Sequence, residues 1–257
     1  QSNPDFKAIQ PELEEMGLEY IEPEDHITGH PDKNGGPGIV IYKSIEKTCQ
    51  SIAAYSQADA DRYRAVYDDF EQVREGFIKA FFSPPAAPSS MASALETSEE
   101  GLRRLREFSM SARAWVETNF ENDFVKAVML NWALAPQILP DQEGAGQSFY
   151  IMIPAIHYYG QAIPKGGSQE LPNAMARFVE SKGGVVKLES PIAGFEIEDG
   201  RATGVKLESG EVIKAKKAVV SALEPKQTFL KFVGEDRLDP NFSRMVKSFS
   251  FGKVSIC

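Results

Sequence analysis

The side chains best suited to chemistry lie in one short segment before a pair of glycines. His157, Tyr158 and Tyr159 precede Gly166 and Gly167 by seven to ten residues. An imidazole or a phenol can accept a proton or orient a substrate, which makes His157 and Tyr159 candidate catalytic residues. The alternative, which the residue types alone favour, is that these are aromatic side chains packed at a domain junction.

The sequence offers no competing catalytic or metal-binding pattern. His26, His30 and His157 lack the spacing to cysteines or carboxylates that a metal site requires. Cys49 and Cys257 are too few for a disulfide framework or a metal site, so a reducing, cytoplasmic location is expected. A Ser-His-Asp pattern and a paired-acid motif are also absent from the sequence. We therefore expect no metal centre.

The glycine pair is followed by residues that predict a helix. Ser168 is a suitable N-cap, and Pro172 falls in the first turn, where its missing N–H costs little. Gly183 and Gly184 end the segment, because glycine readily adopts the left-handed conformation that closes a helix. Between these limits, apolar residues recur as on one helix face: Leu171, Ala174, Met175, Phe178 and Val179.

Five short apolar runs after this helix predict strands. The runs are 185–188, 192–197, 202–207, 211–213 and 218–222. Asp199-Gly200 and Ser209-Gly210 are hairpin signals, because these residues tolerate the positive φ of tight turns. The second, third and fourth runs are therefore predicted to form a three-stranded antiparallel meander.

The order of these elements resembles a known enzyme family. From Ile163 to Pro225 the chain reads IPKGGSQELPNAMARFVESKGGVVKLESPIAGFEIEDGRATGVKLESGEVIKAKKAVVSALEP. This run resembles the middle of the FAD-dependent oxidoreductases related to phytoene desaturases and retinol saturases, within the flavin amine oxidase class. The stretches PELEEMGLEYI and FSMSARAWVETNF resemble the substrate-facing region that these enzymes insert between the two parts of their flavin domain.

The resemblance implies an α+β fold and a flavin reaction. The fold would have two components. The first is a helical substrate region that contains a small mixed sheet, and the second is part of a glutathione reductase-like FAD-binding layer that includes the three-stranded meander. In the full-length protein, a small apolar or amine substrate would give hydride to FAD. The resemblance also implies six cofactor contacts: Pro191 and Ile192 at the adenine end, Ser221 and Ala222 beside the cofactor, and Gly166 and Gly167 near the flavin ring. Each of these residues also has an ordinary structural interpretation, as a residue of a strand or a turn.

The phosphate-binding turn of such a domain is not found in the sequence. A dinucleotide fold needs G-x-G-x-x-G directly after a strand and before a helix. The clusters at 34–38 and 144–146 lead into apolar segments instead, so both are interpreted as turns. We therefore expect an internal fragment of a longer enzyme that binds no FAD and is inactive by itself. Residues 1–3 resemble the remnant of a removed affinity tag.

The remaining chain is assigned coarsely. Residues 4–162 are predicted to be a mostly helical substrate region, 163–225 a partial FAD-binding domain, and 226–257 a return to the substrate-domain sheet. That sheet is expected from the runs at 39–42, 148–153 and 253–257. In the helical part, Ser56 opens a long amphipathic helix, and residues 83–93 form a loop. Trp115, Phe120, Phe124 and Trp132 are expected core anchors.

Composition limits the partners. The 257 residues carry a formal charge of −9, which argues against nucleic acid. The best candidate for a membrane span, 124–139, is shorter than the ~20 apolar residues required, although a peripheral membrane contact stays open. A homodimer is expected to cover the apolar face left by the missing segments.

Two alternatives to the apolar-substrate oxidoreductase remain: a cofactor-free binding or interaction module, and an FAD-dependent amine or amino-acid oxidase.

Overall fold

A computed structural model describes residues 4–84, 87–133 and 139–252. The described chain divides into two compact units, of which the second is Val179–Phe251 and the first comprises the described residues outside that range. Helices dominate, and the strands form small antiparallel sheets, which confirms the predicted α+β class. The interpretation of residues 1–3 and the strand predicted at 253–257 lie outside the described residues.

The first unit is mostly helical. Its helices are α1 (Pro4–Glu15), α2 (Ile45–Ala53), α3 (Gln57–Phe81), α4 (Pro88–Leu95), α5 (Glu99–Ser109), α6 (Ala112–Asn119), α7 (Asp123–Ala133), α8 (Gln147–Tyr159) and the greater part of α9 (Glu170–Ser181). Its strands form two antiparallel pairs, β1 (Tyr20–Ile21) with β4 (Ile163–Pro164) and β2 (His26–His30) with β3 (Ile39–Tyr42).

The predicted start of the long helix is confirmed. The Ser56 hydroxyl accepts a hydrogen bond from the backbone N–H of Asp59 at 3.1 Å, which satisfies one of the free donors at the start of α3. Further along this helix, Tyr63, Val66 and Phe70 are buried in succession. Their three- and four-residue spacing explains why this side of α3 faces the core.

The core of the first unit is aromatic at its centre. The indole of Trp115 on α6 stacks on the ring of Phe149 on α8 at a centroid distance of 4.2 Å. Phe120 is also buried, whereas Phe124 and Trp132 are partly buried against the same core. The four predicted anchors are therefore confirmed as core residues.

The strand predicted at 148–153 is wrong, because this segment belongs to α8. Phe149, Tyr150 and Ile153 of this helix are buried, and the run is apolar almost throughout, so its sequence shows no alternation with polar residues that would separate a helix from a strand. Pro154 lies inside the helix without ending it. The loop predicted at 83–93 is also shorter than expected, because α4 begins at Pro88, and proline is well suited to the first turn of a helix.

The second unit contains the predicted meander. β5 (Ile192–Glu198) pairs with β6 (Arg201–Leu207), which pairs with β7 (Val212–Lys214), in each case antiparallel. Asp199 and Gly200 have φ of 49° and 73°, the two positive values that a tight hairpin turn needs. The prediction of three strands and two turns is confirmed.

The strands predicted at 185–188 and 218–222 are wrong. Both segments are non-helical but have no strand partner in the described chain, and a strand exists only when another strand satisfies its backbone groups. Val185, Leu188 and Val220 are strongly exposed there. Apolar composition alone does not show whether a neighbouring strand is present.

Residues 226–248 are mostly helical. A π-helix spans Lys226–Gly234, a single 3-10 turn follows at Glu235–Arg237, and α10 occupies Pro240–Ser248. The Asp239 carboxylate caps α10 by accepting hydrogen bonds from the N–H groups of Asn241 and Phe242. Phe232 of the π-helix packs against Phe195 of β5.

Candidate functional site

The predicted catalytic histidine is buried between helices of the first unit. His157 lies in the last turn of α8 and is only 6% exposed. Its Nε2 is 2.7 Å from the Tyr63 hydroxyl on α3, and its Nδ1 is 3.2 Å from the backbone carbonyl of Lys43. The ring of Tyr67, one turn further along α3, meets the imidazole edge-on.

These contacts define the proton positions. A carbonyl oxygen only accepts hydrogen bonds, so Nδ1 of His157 carries the proton and donates to Lys43. Nε2 is therefore the acceptor, and the Tyr63 hydroxyl donates to it. Burial lowers the pKa of His157, which favours this neutral ring, and burial also raises the pKa of Tyr63.

The arrangement around His157 is that of a satisfied buried histidine. Both ring nitrogens are already hydrogen-bonded, and a substrate would need to displace Tyr63 or Lys43 to reach them. The arrangement can hold a proton between α3 and α8, but it exposes no free base. The catalytic role assigned to His157 stays a prediction, and no pattern in the sequence indicated that Tyr63 is its partner.

The two tyrosines that follow lie nearer the surface. Tyr158 and Tyr159 meet edge-on at a centroid distance of 4.8 Å. The Arg74 guanidinium lies 4.0 Å from the centre of the Tyr158 ring, and Lys7 Nζ lies 5.8 Å from the centre of the Tyr159 ring. Burial raises the pKa of Tyr159, so its phenol is neutral at physiological pH and suited to donating a hydrogen bond.

The glycine pair forms a turn between β4 and α9. Gly166 and Gly167 have φ of 93° and 111°, values that L side chains rarely adopt. The N–H of Gly167 donates to the carbonyl of Pro164 at 3.0 Å. Lys165, next to the pair, forms an ion pair with Glu19 at 2.6 Å. The turn therefore has a structural reason to contain glycine, whatever it binds.

The other predicted cofactor-binding residues belong to the second unit. Ile192 begins β5 and is paired with Leu207, and the Pro191 carbonyl accepts a hydrogen bond from the N–H of Glu208 at 2.9 Å. The Ser221 hydroxyl is 2.9 Å from that of Thr228, and Ala222, the next residue, is exposed. Their roles as cofactor contacts stay predictions.

A second buried polar cluster was not predicted. The Glu107 carboxylate on α5 accepts hydrogen bonds from the Trp115 indole at 3.1 Å, from Arg103 at 3.0 Å and from the Tyr150 hydroxyl. Asp69 on α3 accepts from Arg103 at 3.0 Å and from Arg104. Burial raises the pKa of Asp69, but the hydrogen bonds from the two arginines outweigh burial and lower it.

This cluster fastens helices and leaves no free catalytic group. Its residues come from α3, α5, α6 and α8, which are distant in sequence, so no local spacing could have predicted it. Every carboxylate oxygen in it has a donor, as buried charges require. Within the described residues, no group of three or more His, Cys, Asp or Glu side chains is arranged to hold a metal ion.

Neither glycine cluster fits the phosphates of a dinucleotide. Gly35 and Gly38 lie in the connection between the antiparallel strands β2 and β3, which leads into a strand and not into a helix. Gly146 precedes α8, but a Cβ at this position would lie 2.1 Å from the Glu107 carbonyl, so the backbone there is closed off by α5. Neither of these two clusters therefore supplies a pyrophosphate cradle.

The larger part of the chain matches one protein family. Residues 58–257 match the family described as flavin containing amine oxidoreductase. The chain belongs to this family. The resemblance found in the sequence around the glycine pair and the meander is thereby confirmed.

Two proteins named for their activities are similar to much of the chain. One of the subunits of limonene dehydrogenase from Castellaniella defragrans is 23% identical over 245 residues, which are 90% of this chain and 43% of that protein. The lycopene-forming phytoene desaturase of Paracoccus sp. is 26% identical over 184 residues, 70% of this chain and 35% of that protein. The chain thus spans less than half of each relative.

A solved structure confirms the family fold. A putrescine oxidase redesigned in its cofactor binding superposes with a TM-score of 0.55 at 12% identity, over 95% of this chain and 50% of that one. Within the described chain, no helix is both long and apolar enough to cross a membrane.

Proposed function

We propose that this chain comprises the helical substrate region and part of the FAD-binding domain of a flavin-dependent oxidoreductase that dehydrogenates a small apolar molecule. The family match over residues 58–257 is the observation that carries the proposal. The relatives are named for the dehydrogenation of limonene and the desaturation of phytoene, and both of these substrates are hydrocarbons. In the whole protein, FAD would take the hydride that the substrate loses.

The helical first unit supports a role in holding an apolar substrate. Its core residues are aromatic and aliphatic, and its two buried polar clusters are fully engaged in holding helices together. An apolar substrate binds best to a surface that excludes water, because its binding free energy comes mainly from removing apolar surface from water.

The glycine clusters at 34–38 and 144–146 do not fit the pyrophosphate of FAD, which supports assigning the cofactor only to the longer protein. We accordingly propose that the 257 residues in isolation neither retain flavin nor turn over substrate. Pro191, Ile192, Ser221, Ala222, Gly166 and Gly167 are the proposed contacts in the longer protein.

Visible absorption spectroscopy tests the proposal directly. The full-length gene product and the 257-residue chain are each incubated with excess FAD and passed through gel filtration. We expect a flavin absorption band to remain with the full-length protein and none with the 257-residue chain. A colourless full-length protein would favour the cofactor-free binding module, and a yellow 257-residue chain would show that the phosphate cradle is dispensable.

Substrate class is tested on the full-length protein. Limonene and phytoene, offered under anaerobic conditions, are expected to bleach the flavin band, whereas putrescine is not. Bleaching by putrescine alone would replace the proposal with an amine oxidase.

A further inference from the structure

The hydroxyl of Thr228 fastens the segment that contains Ser221 and Ala222. The Ser221 hydroxyl lies 2.9 Å from the Thr228 hydroxyl, and the N–H of Leu223 donates to Ser221 Oγ at 3.3 Å. The Thr228 hydroxyl also lies 3.3 Å from the carbonyl oxygen of Leu223. Three hydrogen bonds therefore form a ring between the exposed segment 221–223 and Thr228, which is only 9% exposed.

The direction of each hydrogen bond in this ring can be assigned. A carbonyl oxygen only accepts, so Thr228 donates its proton to Leu223, and Ser221 then donates to Thr228. The single proton of Ser221 is therefore used within the chain. By contrast, the main-chain N–H and C=O groups of Ser221 and Ala222 have no hydrogen-bond partner among the described residues. This segment thus offers a ligand its main chain and not the Ser221 proton.

The ring is anchored by the π-helix at Lys226–Gly234, which contains Thr228. The N–H of Thr228 donates to the Glu224 carbonyl at 2.9 Å, and the Glu224 carboxylate accepts from two N–H groups at the start of the helix. Further along the helix, Phe232 packs edge-on against Phe195 of β5. The π-helix therefore connects segment 221–223 to β5, whose first residue is another proposed cofactor contact. Such π-helical turns occur frequently at functional sites.

We propose that Thr228 is a positioning residue for the cofactor-binding main chain at Ser221 and Ala222. The inference rests on the proposed function, in which these two residues contact FAD in the longer protein. The Thr228 hydroxyl holds the segment in one conformation before FAD arrives, so less conformational entropy is lost on binding. Thr228 itself is buried and acts through Ser221.

Titration of the full-length protein, freed of flavin, with FAD tests the inference through the change in flavin fluorescence. Thr228→Val removes the hydroxyl and keeps the branched shape of the side chain. We expect its FAD dissociation constant to be about five-fold higher, because the ring of hydrogen bonds is broken and the segment must be ordered on binding. Thr228→Ser restores a hydroxyl and should bind FAD within about two-fold of the unaltered protein.

Thr203→Val is the matched control. The Thr203 hydroxyl on β6 also donates to a backbone carbonyl at 3.3 Å, that of Glu196 in the same unit. This variant loses a hydrogen bond of the same kind away from the proposed cofactor contacts, so it should bind FAD like the unaltered protein. Circular dichroism melting of the flavin-free proteins shows whether each variant is folded.

Removal of the Ser221 hydroxyl separates positioning from an independent contact. If Thr228 acts through Ser221, Ser221→Ala should weaken FAD binding about as much as Thr228→Val. The double variant Ser221→Ala/Thr228→Val should then bind no more weakly than either single variant. Additive losses would show that the two hydroxyls act independently and would overturn the inference. Because Ser221 is exposed, Ser221→Ala also provides the test if Thr228→Val does not fold.

The outcomes distinguish this inference from the proposed function. A full-length protein that binds no FAD overturns the proposed function and the inference together. If the unaltered protein binds FAD and Thr228→Val binds it equally well, the inference alone is wrong. Equal weakening by Thr203→Val, or no recovery in Thr228→Ser, also overturns the inference, because the loss is then not specific to the Thr228 hydroxyl.

Discussion

The Tyr63 hydroxyl on α3 donates a 2.7 Å hydrogen bond to Nε2 of His157 on α8, although 94 residues separate the two in sequence. Nδ1 of His157 donates in turn to the Lys43 carbonyl, which follows β3. One imidazole therefore links three parts of the first unit and must be neutral to do so. Its protonation would break the link with Tyr63, and this predicts a pH dependence.

Acid should weaken the first unit as His157 takes up a proton. The folded-state pKa of His157 is lowered, so the unfolded state binds more protons below the ordinary histidine pKa of about 6.5. Its contribution to stability is complete above that pH and is lost as the pH falls toward the folded-state pKa. Urea unfolding between pH 7.5 and pH 5 should show a free energy of unfolding that falls by up to about 1.4 kcal/mol per pH unit for this group.

The double variant Tyr63→Phe/His157→Phe separates this effect from packing. Both polar partners are removed together, so no buried hydroxyl is left unsatisfied. We expect a shallower pH dependence than in the unaltered protein. Part of the slope should remain, because burial also lowers the pKa of His30. An unchanged slope would show that His157 does not titrate as described.

Asp69→Asn should destabilise the first unit strongly. Asp69 receives hydrogen bonds from both Arg103 and Arg104, and the Arg104 side chain is only 10% exposed. Removing the carboxylate leaves that buried cation unpaired, at a cost of about 3 kcal/mol. The matched control is Asp61→Asn on the exposed side of the same helix, which should change the free energy of unfolding by less than about 0.5 kcal/mol. Equal effects in urea unfolding would contradict the assignment.

Gly146→Ala should push α5 and α8 apart. The added Cβ would lie 2.1 Å from the Glu107 carbonyl, and a backbone atom cannot turn away as a side chain can. We expect a loss of about 1–3 kcal/mol in the free energy of unfolding. Gly76→Ala within α3 is the control, and it should raise the free energy of unfolding. No atom lies within 4 Å of the added Cβ, and alanine is favoured over glycine in a helix by about 0.5–1 kcal/mol. Thermal melts that rank the two variants the other way would refute this packing.

Gly167→Ala tests backbone strain alone. No atom lies within 4 Å of the added Cβ, but φ is 111°, so any cost reflects conformation and not crowding. We expect a loss of about 1–2 kcal/mol. Gly29→Ala in β2 has the same open space without the positive φ and should be tolerated. If both variants melt alike, the glycine turn does not have the conformation described.

The sequence determined the local elements that depend on neighbouring residues. Ser56 predicted the start of α3, because a cap acts on an N–H only three residues away. Asp199-Gly200 and Ser209-Gly210 predicted the meander, since the turns fix which strands pair. The order of these elements from Ile163 to Pro225 was also enough to indicate the family.

Tertiary structure decided what depends on distant residues. The run at 148–153 is part of α8 and not a strand. A short, continuous apolar run looks the same in sequence whether it forms a buried strand or a buried helix, so only the fold decided between them. The runs at 185–188 and 218–222 form neither helix nor strand, because a strand requires a neighbour for its hydrogen bonds and the described residues supply none there. Tyr63, which pairs with His157, and Trp115, which pairs with Glu107, lie on other helices, and only the packing of those helices brings them within hydrogen-bonding distance.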